Sequence, residues 1–92
     1  MAKWGSRVEV ERRNRIRLSI AAYAYEFEND IIMQDHEFDE LAKQIDPSID
    51  TGDLLLDLFF REEFHTDTGQ WVQNHPDPIG LKRAYRRIKY GK

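Results

Sequence analysis

Between residues 16 and 27 apolar side chains recur as Ile16, Ile20, Tyr23 and Phe27, at spacings of four, three and four. That rhythm is the period of a helix with one apolar stripe. Ala21, Ala22 and Ala24 add intrinsic helix preference. The stretch before it offers a rival pattern. Val8 and Val10, then Ile16, Leu18 and Ile20, alternate as two short strands would around "ERRN". No Gly or Pro stands at that turn, as a tight hairpin would favour. The pattern therefore predicts one helix from about residue 9 to 29.

Further on, Phe38, Leu41, Ala42 and Ile45 form one apolar face, predicting a helix over 36–45 with Asp35 as its cap. "DPSIDTGD" then breaks the chain. A third helix is expected over 52–63, where "LLLDLFF" is nearly all apolar and reads as the most buried segment. Asp57 stands alone inside it. A lone buried carboxylate is costly, so Asp57 is expected to point outward or pair with an arginine rather than catalyse. "HTDTGQWVQNHPDP" carries turn residues at Asp67, Thr68 and Gly69, with Trp71 and Val72 returning to the core; a short β element at 64–73 is compatible with it. Asp77 and Pro78 read as an N-cap and a first helical residue. The last helix, 78–90, then places Leu81, Ala84, Tyr85 and Ile88 on one face. The fold class is mainly α: a single small domain, residues 1–92, of about four helices.

Charge adds a second pattern. The 92 residues carry a net charge of only −3, yet the signs are sorted along the chain. Residues 1–17 hold six bases against two acids, residues 18–77 hold 15 acids against two bases, and residues 78–92 hold six bases and no acid. Either the basic ends fold onto the acidic middle, or at least one of them faces a polyanion. No apolar run is long enough to span a membrane. The first 15 residues lack the apolar stretch of a signal peptide. Cysteine is absent, which excludes disulfides and thiolate ligands. A cytoplasmic protein is the expectation.

Conventional catalytic patterns are missing. The three histidines, His36, His65 and His75, match no metal-ligand spacing, even with Asp67 lying between two of them. The serines lie in no nucleophile-elbow context, and the glycines are scattered rather than gathered into a phosphate loop. No enzyme activity, metal or cofactor is expected. The last helix is the better candidate. Arg83, Arg86 and Arg87 sit on adjacent turns with Lys82 beside them, Arg forks suit phosphate oxygens, and Tyr85 and Tyr90 are placed to stack on bases.

Residues 23–41, "YAYEFENDIIMQDHEFDEL", resemble the small N-terminal domain of NAD-dependent DNA ligases. Its pattern there is Tyr-x-Tyr, a link acid, then Asp-x-Glu-Tyr-Asp-x-Leu. Tyr23 and Tyr25 match the tyrosines, and Asn29 or Asp30 falls near the link acid. Asp35, Glu37, Phe38, Asp39 and Leu41 match the second part without gaps. The chain departs from the pattern at Glu26, where the ligases have histidine, at Phe38 in place of tyrosine, and at Ile31 in place of proline. No nucleotidyl-transfer lysine motif follows. The resemblance implies two helices and a nucleotide site for nicotinamide mononucleotide (NMN) or NAD, formed by Tyr25, Asp35, Phe38 and Asp39. Read by spacing alone, Tyr23, Phe27, Phe38 and Leu41 are contacts between the helices, and Asp39 fits either role.

The second half, "LDLFFREEFHTDTGQWVQNHPD", resembles small accessory proteins of tailed bacteriophages, among which anti-CRISPR proteins are small, cysteine-poor and non-enzymatic. That likeness implies an inhibitor, in the cytoplasm of a host bacterium, of a host protein or ribonucleoprotein complex such as a CRISPR surveillance complex. Arg12, Arg13 and Arg15, together with Lys82, Arg83, Arg86 and Arg87, would then contact guide RNA or partner carboxylates. Asp39, Glu62 and Glu63 would meet basic partner residues. Trp4 and Trp71 are candidate aromatic anchors.

Overall fold

The computed structural model describes residues 6–91. Four helices form, α1 (Arg7–Glu28), α2 (Asp35–Gln44), α3 (Leu54–Glu62) and α4 (Pro78–Tyr90), with a 3₁₀ helix at Gln70–Asn74. Among the described residues there is no strand: the hairpin alternative at 7–20 gives way to α1, and the β element at 64–73 to a loop that runs into the 3₁₀ helix.

Local side-chain chemistry sets most of the helix ends. The Ser6 hydroxyl accepts from the Glu9 amide at 3.3 Å and starts α1. Asn29, at φ 53°, closes it in the left-handed conformation that asparagine tolerates. Asp53 accepts from the Leu56 amide at 3.2 Å and starts α3. As the sequence predicts, Asp77 accepts from the Gly80 amide at 2.9 Å and Pro78 opens α4. The start of α2 differs from expectation. Gln34 is the cap, with the Glu37 carboxylate accepting from the Gln34 amide at 3.2 Å, so Asp35 is already the first helical residue. The side chain of Asp35 is thereby left free for other work.

The core is one cluster built around α1. Leu18, Ala22 and Tyr23 of α1 meet Leu41 and Ala42 of α2, Phe59 and Phe60 of α3, Trp71 and Val72 of the 3₁₀ helix, and Leu81 and Tyr85 of α4. The helix expected to be most buried is not. Leu54, Leu55 and Leu58 are 80%, 68% and 48% exposed, and α3 buries only Asp57, Phe59 and Phe60. The stripe on α1 shifts as well. Ile16 and Phe27 are exposed, while Glu11, Asn14 and Arg15 turn inward.

That inward turn explains where Asp57 goes. The Arg15 guanidinium donates to Glu11 Oε2 at 2.7 Å, to Asp57 Oδ1 at 2.9 Å, and to the carbonyls of Asp46 and Ile49 at 3.0 and 3.1 Å. It also lies over the Phe60 ring, 5.0 Å from the centroid. Asp57 accepts in addition from the Thr51 amide at 3.0 Å and the Thr51 hydroxyl at 2.6 Å. Glu11 takes the Asp46 amide on both oxygens. Burial alone would push the Asp57 carboxyl up, but the two Thr51 donors and Arg15 hold it down at about 2. An arginine in the interior is stable here because its donors are satisfied in a planar fork.

Candidate functional site

A cleft of about 460 Å³ lies between α1, α2 and the loop before the 3₁₀ helix. Its floor is made by Ala21 and Ala22, whose small side chains leave the space. Tyr25 and Glu26 of α1 stand on one side, and Asp35, Phe38 and Asp39 of α2 on the other. Spacings of three and four put these last three on one helical face. Ile31, Ile32 and Met33 of the link close one end, and Asp67, Thr68, Gly69 and Gln70 the far rim. Gly69 has an ordinary backbone (φ −98°). It is small for a reason of contact: a Cβ there would sit 3.2 Å from Ala22 Cβ and 3.3 Å from Phe38 Cζ.

Four residues singled out by the ligase-like motif, Tyr25, Asp35, Phe38 and Asp39, thus line one cavity. Tyr23 does not. It is buried, stacks on Phe27 at 5.3 Å, and donates its hydroxyl to Glu28 at 2.6 Å. Burial and then that bond push its phenol up to about 12. Glu26 and the Asp67–Gln70 rim are parts of the cleft that sequence reasoning missed. The Glu26 carboxylate is held by Gln73 Nε2 at 3.2 Å.

The cleft's chemistry is one-sided. Glu26, Asp35, Asp39 and Asp67 supply four carboxylates, Tyr25 and Phe38 supply aromatic faces, and no Lys, Arg or His is among the lining residues. Aromatic faces and carboxylates both favour a cation, and both disfavour a phosphate placed deep in the site. Among the described residues, those of the cleft included, no group of three His, Asp or Glu stands together in a way that could hold a metal ion.

The expected partner-binding residues divide. Arg15 belongs to the interior ion network, at 4% exposure, and can touch no partner. Arg12 donates to the Thr51 carbonyl, and Arg13 is exposed. Glu62 and Glu63 are exposed at the end of α3. Lys82, Arg83, Arg86 and Arg87 are exposed on α4. Tyr85 faces inward and donates to Asp30 at 2.7 Å, so it cannot stack on a base; Tyr90 is 65% exposed. Trp71 is a core residue packed against Phe59, Phe60 and Phe64. Trp4 lies outside the described residues. Tyr85 and Lys89 of α4 meet the end of α1, whereas Arg13 sits about 22 Å away along the same helix axis at 1.5 Å per residue.

No family model, curated protein or solved structure matches the chain. No helix among the described residues is long and apolar enough to cross a membrane.

Proposed function

We propose that the protein is a binding module whose cleft takes a planar organic cation, of which the oxidised nicotinamide riboside group of NMN or NAD is the type. The observation that carries this reading is the pairing of two aromatic side chains with four carboxylates around one cavity that holds no base. A pyridinium ring would lie between Tyr25 and Phe38, its charge facing Asp35 and Asp39. Asp35 sits in the first turn of α2, where the helix dipole steadies its negative charge. Phe38 contributes its ring face but no hydroxyl. A phosphate on the ligand would have to stay at the open mouth, away from Glu26 and Asp67. Calorimetric titration with nicotinamide riboside, NMN and reduced NMN tests the reading. The two compounds with a pyridinium ring should bind, reduced NMN, whose dihydropyridine ring carries no charge, should bind several-fold more weakly than NMN, and Asp39→Asn should weaken the pyridinium compounds. Absence of saturable heat for all three, at a Kd limit of about 1 mM or some 4 kcal/mol, would end it.

A second reading is favoured by a separate observation, the outer face of α3. Leu54, Leu55, Leu58 and Glu62 fall within about 100° of helical arc, and the leucines are exposed. An apolar patch edged by carboxylates suits a protein partner with an apolar groove and a basic rim, as a host nucleoprotein defence complex would present. Co-elution with a purified CRISPR surveillance complex, lost on Leu55→Asp, would support it. Independent elution of the unmodified protein would remove it.

A further inference from the structure

The chain disposes of its basic residues unequally. Arg15 is committed to the interior, Arg12 to the Thr51 carbonyl, Arg7 to Asp46 at 3.6 Å and Lys89 to Asp30 at 2.9 Å. Lys82, Arg83, Arg86 and Arg87 form no ion pair with any described carboxylate. All four lie with Tyr90 on one side of α4, within about 140° of arc at 100° per residue. The opposite side is the one that buries Leu81 and Tyr85. Arg83, Arg86, Arg87 and Tyr90 together line a shallow depression of about 300 Å³. The Arg86 guanidinium rests over the Tyr90 ring, 5.9 Å from its centroid. The depression lies toward the C-terminal end of α4, where the helix carbonyls favour cations.

We propose that this face binds single-stranded nucleic acid independently of the cleft. Arg83, Arg86 and Arg87 engage successive phosphates, and Tyr90 offers a platform for one base. Two features select a single strand over a duplex. Tyr90 is an aromatic surface that only an unstacked base can meet face to face. The four cations of α4 also follow one short helix face, which matches one strand's phosphate run more closely than the two strands flanking a groove. Guanidinium groups rather than ammonium groups dominate the patch, which suits forked contacts to phosphate oxygens.

The test is fluorescence anisotropy of a labelled oligodeoxythymidylate across a salt series, with an equal-length duplex as comparator. Three or four neutralised phosphates predict a slope of about −2 to −3 for log affinity against log salt. Tyr90→Ala should weaken binding about tenfold, while Tyr90→Phe, which keeps the ring, stays within about twofold. Arg86→Gln with Arg87→Gln should lower affinity further and flatten the slope by about 1.4. Asp39→Asn in the cleft should change nothing, which separates this outcome from the fate of the cleft reading. Equal affinity for the duplex, an unaffected Tyr90→Ala variant, or full competition by polyglutamate would each overturn the proposal. So would the absence of binding at low salt. These positions are exposed, so circular dichroism should show the variants as helical as the parent.

Discussion

Arg15 on α1 and Asp57 on α3 meet at 2.9 Å in the interior, 4% and 3% exposed. The contact is the main polar tie between the longest helix and the shortest of the four α-helices. Breaking it from one side leaves an uncompensated buried charge. Arg15→Met or Asp57→Leu alone should therefore cost about 3–5 kcal/mol in urea unfolding. The double variant should cost clearly less than the sum, since each single variant strands the other partner.

The same carboxylate sets an acid limit. Asp57 falls from an ordinary 3.8 to about 2 in the folded protein, so the folded state binds this proton more weakly than the unfolded chain. Its contribution is complete above pH 3.8 and disappears as pH falls toward about 2. Thermal melts taken from pH 5 downward should show a steep loss of stability in that window. In Asp57→Asn the melts should start lower and fall less steeply.

At alkaline pH two of the four tyrosines should titrate late. Tyr85 is pushed up to about 12 first by its bond to Asp30 and then by burial, and Tyr23 reaches about 12 mainly through burial. A raised phenol favours the folded state fully below the ordinary value of 10 and loses that effect as pH rises through about 12. Phenolate absorbance should show both late steps. Tyr85→Phe should remove one of them and lower the melting temperature, leaving Asp30 with Lys89 alone.

Gly69→Ala tests the cleft wall directly. The added methyl meets Ala22 of the floor and the tip of Phe38, and the aromatic ring is the part able to move. Affinity for the cationic ligand should fall several-fold while unfolding free energy changes by less than about 1.5 kcal/mol. Titration and denaturation of the same sample check both halves.

How much of this was legible in the chain varies by residue. Asp77 and Pro78 announce the start of α4 because capping is chemistry between neighbours in sequence. Asp35, Phe38 and Asp39 share a face because their spacing already says so. The rim at Asp67–Gln70 could not be read, because it comes from another part of the chain and is placed only by packing against α1 and α2. The interior was misjudged for a different reason. Hydrophobicity places residues by their own preference, and Leu54, Leu55 and Leu58 outscore Asp57 on that measure. What decides is company: Thr51 and Arg15 donate to Asp57, while α3, nine residues long, offers the core only one side.

The arginine on α1 does one thing more. Its fork holds the carbonyls of Asp46 and Ile49, while Glu11 holds the amide of Asp46. The path of the backbone from 46 to 51 is therefore dictated by side chains more than thirty positions upstream. Residues 11, 15, 46–51 and 57 form one indivisible cassette. Grafting any of them into another scaffold without the others would transfer a fragment that has lost its instructions.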